Sequence, residues 1–128
     1  MLTCSLPMNA NNTELVLGYT TSGAEELARM IPKARAVCTF NTVPSEVLLA
    51  VHEVRGKTGR PGLVYCGDDS NGKGTAAELM RYSGFVPVDA IPLRIARYTE
   101  PFPLLIGQLA WEGKGGPKLA YRFEYFTN

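Results

Sequence analysis

The chain has 128 residues, 45% hydrophobic and 20% charged, which is the size and composition of a single globular domain spanning 1–128. Disordered tails, collagen-like repeats and disulfide scaffolds are excluded. Lys and Arg total 13 against 12 acidic residues, so the net charge of +1 gives nucleic acid no electrostatic footprint, and one histidine rules out a metal site built on several.

The N-terminus, Met1 to Asn9, has no basic region and no sustained apolar run, so it does not read as a signal peptide. No stretch reaches the ~18 apolar residues of a membrane span. The cysteines, Cys4, Cys38 and Cys66, each fall in a short apolar, strand-like run. They read as buried free thiols in a reducing cytoplasm. A cytoplasmic protein with neither a membrane nor a nucleic-acid partner is expected.

The elements alternate. Leu2 to Leu6 reads as a strand ending at Pro7. Ser22-Gly23-Ala24-Glu25 is a capping box, and Ala24, Leu27, Ala28 and Ile31 form one helical stripe that stops at Pro32. Arg35 to Phe40 is strand-like, and Pro44 opens a helix with Val47, Leu48, Val51 and Val54 on one face. Leu63 to Cys66 is a strand. Asp69 or Ser70 caps the next helix, whose inner face holds Ala76, Leu79 and Met80 and which Gly84 ends. Pro87 marks Phe85 to Val88 as an edge strand. Leu93 to Trp111 reads as a long helix interrupted around Pro101 and Pro103. Leu119 to Phe126 is a last strand or an extended tail. Strands spaced by helices predict an α/β fold with a parallel sheet.

Two segments carry candidate chemistry. Gly67 to Thr75 fits G-x-x-x-x-G-K between a strand and a helix, the arrangement of a phosphate-binding loop. Gly74 stands where the Mg²⁺-holding hydroxyl belongs, and Asp68 and Asp69 would repel phosphate. The other reading is a helix N-terminus with acidic caps. The second segment is Phe40-Asn41-Thr42-Val43-Pro44. It is either a strand-to-helix turn with Thr42 as N-cap or a ligand site at the carboxyl end of a strand. Asn41 offers a donor and an acceptor there, Thr42 a hydroxyl, and Leu6-Pro7-Met8-Asn9 ends the preceding strand beside them.

Ala34 to Pro44 resembles the A-x-V-V-x-A-F-N-T-V/I-P segment of the NADPH-dependent deazaflavin (coenzyme F-420) reductase family. Val64-Tyr65-Cys66-Gly67-Asp68-Asp69 is similar to its V-x-x-C/A-G-D-D. Gly84 to Leu93 resembles G-F/L-x-P-x-D-A-G-P-L, and Arg97 to Glu100 resembles A/S-R-x-x-E. The likeness runs from about Ser5 to Phe123.

The resemblance implies a truncated Rossmann-like, mostly parallel sheet with flanking helices and a long C-terminal helix. The late Rossmann strands would be followed by a small deazaflavin or dimerisation portion. It implies hydride transfer between NADP(H) and a deazaflavin, with both as cofactors. The cofactors carry that chemistry, so no catalytic residue is assigned. Leu6, Pro7, Met8, Asn41, Thr42, Val43 and Pro44 would surround the rings, and Pro92, Leu93 and the long helix would form the other wall. No metal is implied. The family's glycine-rich dinucleotide loop and first four strands have no counterpart here, which leaves independent NADP(H) binding and enzyme status open. The exposed strand edge implies a homodimer or higher oligomer. The alternatives are a non-catalytic binding or dimerisation module of the same descent and a phosphate-binding protein using Gly67 to Thr75. Ile91 replaces the family's glycine, so a left-handed backbone there would be strained.

Overall fold

The computed structural model describes residues 1–127. Four strands, β1 (Leu2–Thr3), β2 (Val37–Cys38), β3 (Gly62–Gly67) and β4 (Val86–Asp89), form one sheet in sequence order. The pairs β1–β2 and β3–β4 are parallel, as a mostly parallel sheet requires, whereas β2–β3 is antiparallel, with Val37 opposite Gly67 and Cys38 opposite Cys66. Helices α1 (Gly23–Met30), α2 (Glu46–Glu53) and α3 (Ser70–Tyr82) fill the connections. After β4 come a 3-10 turn (Leu93–Ile95), α4 (Ala96–Thr99), α5 (Phe102–Gly107) and a π-helical turn (Gln108–Glu112). The long C-terminal helix is thus broken at Glu100-Pro101, because proline removes a helical N–H donor.

The predicted strands at Leu2–Leu6 and Arg35–Phe40 shrink to two residues each. β2 stops short because Phe40 adopts a left-handed φ of 63°. Helix α2 begins at Glu46, two residues beyond Pro44. The Val47 and Leu48 N–H groups still donate to the carbonyls of Pro44 and Ser45, so the proline forms a lead-in turn. The segment after Leu119 is an extended tail. Among the described residues its one bridge sets Tyr121 opposite Gly62.

The core has two parts. Val37, Val47, Val51, Leu63, Ala76, Met80 and Phe85 pack between the sheet and helices α2 and α3. Ala24, Ala36, Cys38, Cys66, Leu93 and Ala96 pack between the sheet, α1 and the C-terminal helices. Leu79, expected inside, is 47% exposed, and Ala77 takes its place. Cys38 and Cys66 are buried, but Cys4 is exposed because β1 has already ended. Gly67 is dictated by the close approach of β2, since a Cβ there would stand 2.9 Å from the Ala36 carbonyl oxygen. Gly84 closes α3 with φ +102° and leaves no room for a Cβ, which would meet the Val51 carbonyl oxygen at 2.7 Å.

The Arg97-x-x-Glu100 segment ties α4 to the N-terminus of α1. Glu100 is 1% exposed, and its carboxylate accepts from the Gly23 and Ala24 N–H groups at 2.8 and 2.9 Å. Arg97 forks onto both oxygens of Glu25 at 2.9 Å. Glu25 also receives the Ser22 hydroxyl, while its own N–H donates to Ser22 Oγ, so Ser22 caps α1 as the capping-box pattern predicts. Glu25 returns to the hydroxyl rather than to the Ser22 N–H, and the pair is cross-linked to α4.

Candidate functional site

A cavity of about 990 Å³ lies beyond the ends of β1 and β2. Its first wall is the loop after β1, through Cys4, Leu6, Met8, Asn12 and Thr13. That loop is a small hairpin, with Met8 bridged to Leu15. Asn9 holds it: its side-chain oxygen accepts from the Thr13 and Glu14 N–H groups at 2.9 and 3.2 Å. The second wall is the turn from β2 into α2, through Asn41, Val43, Pro44, Ser45 and Glu46. The third is α5 with the π-helical turn, through Pro103, Leu104, Ile106, Gly107, Gln108, Trp111 and Glu112.

Of the residues singled out in the sequence, Leu6, Met8, Asn41, Val43 and Pro44 meet at this cavity. Pro7, Thr42, Pro92 and Leu93 do not line it. Pro7 turns instead towards the start of α1, where its ring lies 3.1 Å from the place of a Cβ on Gly23. Thr42 is neither an N-cap nor a cavity residue. It is fully buried, and its hydroxyl pairs at 2.7 Å with that of Tyr121, which also accepts the Val64 N–H at 2.9 Å. Ser45 holds the capping position of α2 without a side-chain bond. Leu93 is a core residue, and its N–H donates to Asp68 at 2.9 Å. The far wall is therefore the C-terminal helix itself. Two i, i+4 rows of that helix face the cavity, Pro103-Gly107-Trp111 and Leu104-Gln108-Glu112. That spacing is the signal by which the sequence announces them.

Asn41 is 7% exposed. Its Nδ2 donates to the Ser5 carbonyl at 3.3 Å and approaches Cys38 Sγ at 3.4 Å. Its Oδ1 has no protein partner among the described residues. The charged residues on the cavity wall, Glu46 and Glu112, are both acidic. The interior therefore suits a flat, largely apolar or hydrogen-bonding group and repels phosphate.

The Gly67–Thr75 loop is occupied by its own contacts. Asp69 caps α3 by accepting from Gly72 N–H at 2.7 Å, and Asp68 holds Leu93. Lys73 pairs with Asp89 at 2.7 Å, donates to the Ile91 carbonyl at 3.3 Å and sits over the Tyr65 ring. Its lysine and capping amide are committed within the protein, as in an acid-capped helix start. Ile91 has φ 72°, a left-handed backbone that is strained for a β-branched residue.

Several titratable groups respond to their surroundings. Burial pushes the Glu100 carboxyl above the ordinary carboxylate range, against the two N–H donors that hold it ionised. Burial also acts to raise Glu25, but the Arg97 fork and the Ser22 hydroxyl outweigh it and hold Glu25 low. Tyr121 is raised by burial. Cys66 is raised by the neighbouring Cys38 thiol and by its dry surroundings.

Among the described residues no helix is long and apolar enough to cross a membrane, and no group of three or more His, Cys, Asp or Glu is placed to hold a metal ion. No family model matches the chain. Metalloreductase STEAP3 of Rattus norvegicus is 34% identical over 88 residues, which are 69% of this chain and 17% of that protein. A structure from Arthrobacter sp. FB24, provisionally assigned as an F420-dependent NADP reductase, aligns with 97% of this chain at a TM-score of 0.83 and 22% identity. Hypothetical protein SMa0349 from Sinorhizobium meliloti aligns with 96% at a TM-score of 0.64 and 25% identity. The chain spans 56% and 54% of those two chains and about a sixth of the rat relative. The fold is therefore α/β and Rossmann-like, shared with a chain assigned as a reductase.

Proposed function

We propose that this chain is the ring-holding part of an NADP(H)-linked oxidoreductase, with a deazaflavin as the second cofactor. The observation that carries the reading is the cavity beyond the ends of β1 and β2, walled by Leu6, Met8, Val43, Pro44 and Trp111 around one hydrogen-bonding group, Asn41. Its volume suits a tricyclic ring, and its place follows the rule for open α/β sheets. The assignments of the Arthrobacter and rat proteins, both reductases by name, support the same direction.

The residues present fit the ring and not the phosphates. Among the described residues the cavity wall carries no Lys or Arg, and the Gly67–Thr75 loop is closed on its own contacts. Phosphate and ribose recognition then lies outside this cavity. When bound, such cofactors supply the hydride chemistry. The protein's own task is positional. Apolar walls exclude water and fix the ring plane, and the free Asn41 Oδ1 accepts from a ring N–H. The reading covers residues 1–128 as one domain. Leu105, Leu109 and Trp111 on the C-terminal helix, with Phe123, Tyr125 and Phe126 on the tail, remain exposed apolar surface. That surface favours association with a second copy and keeps a binding module as the alternative.

Trp111 is the only tryptophan and lines the cavity, so its fluorescence reports on a bound ring. Titration with a deazaflavin should quench it saturably, and Asn41→Ala should weaken the binding several-fold. Absence of quenching by deazaflavin, flavin and NADPH alike refutes the reading. Light scattering tests the association separately.

A further inference from the structure

Cys38 and Cys66 are register partners in the antiparallel β2–β3 pair. The N–H groups of Val37 and Thr39 point towards β1, donating to the Met1 and Thr3 carbonyls. On β3, the Gly67 N–H and the Tyr65 carbonyl point the other way, bonding to Ile91 and Ala90. Alternation along each strand leaves Cys38 and Cys66 facing one another as a hydrogen-bonded pair. The Cα atoms of such a pair lie ~5.5 Å apart, within the range a disulfide spans. Opposed side chains leave the sheet on the same face, and both cysteines are buried, at 2% and 0% exposure. The Cβ atoms of this pair type stand ~5.5 Å apart, whereas a relaxed disulfide holds them at ~3.8 Å. A bond between these sulfurs therefore forms only under strain, and a strained disulfide is readily reduced.

We propose that Cys38 and Cys66 form a reversible, strained cross-strand disulfide on exposure to hydrogen peroxide, and that the bond draws the Cys38 sulfur away from the Asn41 amide at the cavity wall. The cavity supplies the route, because Asn41 lines it and Asn41 Nδ2 lies 3.4 Å from Cys38 Sγ. One small side chain thus separates the cavity from the first sulfur. Cys38 is the nucleophile, since its sulfur receives the amide of the cavity-lining Asn41 at 3.4 Å, whereas the Cys66 thiol donates to the Leu93 carbonyl at 3.8 Å.

The chemistry balances. Cys38 sulfur attacks peroxide, an S–O bond forms, the O–O bond breaks, and water leaves carrying the thiol proton. Cys66 sulfur then attacks the sulfenic sulfur, the S–S bond forms, the S–O bond breaks, and a second water leaves with the second proton. Two thiols and one peroxide give one disulfide and two waters. Disulfide formation alters the contact that orients Asn41, so the polar anchor of the cavity responds to oxidation.

The test treats the protein with hydrogen peroxide, then maps peptides by mass spectrometry without reduction and records ¹H–¹⁵N spectra of the side-chain amides. The expected result is a Cys38–Cys66 linked peptide, absent in Cys66→Ser and lost on adding dithiothreitol. The Asn41 side-chain amide pair should shift while backbone amides in the last turn of α3 stay in place. Oxidation confined to Cys4, or sulfinic acid at Cys38 or Cys66 in place of the link, overturns the proposal. A link formed with an unmoved Asn41 amide overturns its second half. The readouts are chemical and spectroscopic, so they stand whether or not the cavity binds a deazaflavin.

Discussion

Replacing Glu100 with alanine removes the acceptor of two N–H groups at the start of α1, that of Ala24 buried and that of Gly23 part-buried. The carboxylate receives Gly23 at 2.8 Å and Ala24 at 2.9 Å and is 1% exposed. Each donor left without a partner costs ~1–3 kcal/mol. Loss of a negative charge at a helix N-terminus adds ~0.3–1 kcal/mol. Removing a buried carboxylate returns part of its desolvation cost, so the net loss should be about 2–4 kcal/mol. That is a large share of the ~5–15 kcal/mol that holds such a domain together. Urea unfolding should show a lower midpoint with an unchanged slope. Native-state hydrogen exchange should speed up first at Gly23 and Ala24. Glu100→Gln, which keeps one acceptor oxygen, should fall between the two.

Acid titration sharpens the test. Burial raises the folded carboxyl of Glu100 above its unfolded value. Between those values the native state holds a proton that the unfolded state has released, so stability rises as pH falls through the folded value. Glu100→Ala should abolish that rise. A loss below ~1 kcal/mol, with protection at Gly23 and Ala24 unchanged, refutes the argued cap.

Further predictions concern single contacts. Glu25 carries the opposite pH sign, because its folded carboxyl is held low by Arg97 and Ser22 against the burial that acts to raise it. Its contribution is present above the unfolded carboxylate value and is lost as pH falls through the folded one. Glu25→Gln should flatten that acid limb of the stability curve. Tyr121→Phe removes the hydroxyl that joins Thr42 at 2.7 Å and Val64 N–H at 2.9 Å, and should cost ~1–3 kcal/mol in urea unfolding. Ile91→Gly should be neutral to stabilising by up to ~1 kcal/mol. Its φ of 72° is costly for a β-branched residue, and its side chain is 67% exposed, so little packing is lost. Gly84→Ala should lower the thermal midpoint sharply, since φ +102° and a Cβ contact of 2.7 Å with the Val51 carbonyl oxygen act together.

The alternation of strands and helices, Ser22 as cap of α1, Asp69 as one of two candidate caps of α3, the edge position of β4 and the break around Pro101 were all legible in the sequence. Each depends on local chemistry: a side-chain oxygen within reach of its own backbone, or a proline that cannot donate. Leu6, Met8, Asn41, Val43 and Pro44 were legible as neighbours because strand ends converge in an α/β sheet.

Other features were decided by distance in the chain rather than by local pattern. Thr42 looks like a cap in sequence, yet Tyr121, 79 residues away, takes its hydroxyl into the core. Nothing local to Glu100 marks its partners, the α1 amides, which are 77 and 76 residues away in the chain and reached only through α4. The antiparallel turn of β3 against β2, which sets Cys38 opposite Cys66, has no local signature, because strand direction depends on where the connecting helix α2 packs. Local capping and proline chemistry therefore specified the elements. Only the tertiary structure decided which buried donors, acceptors and thiols meet, since a polar group removed from water must take whatever partner the packing brings.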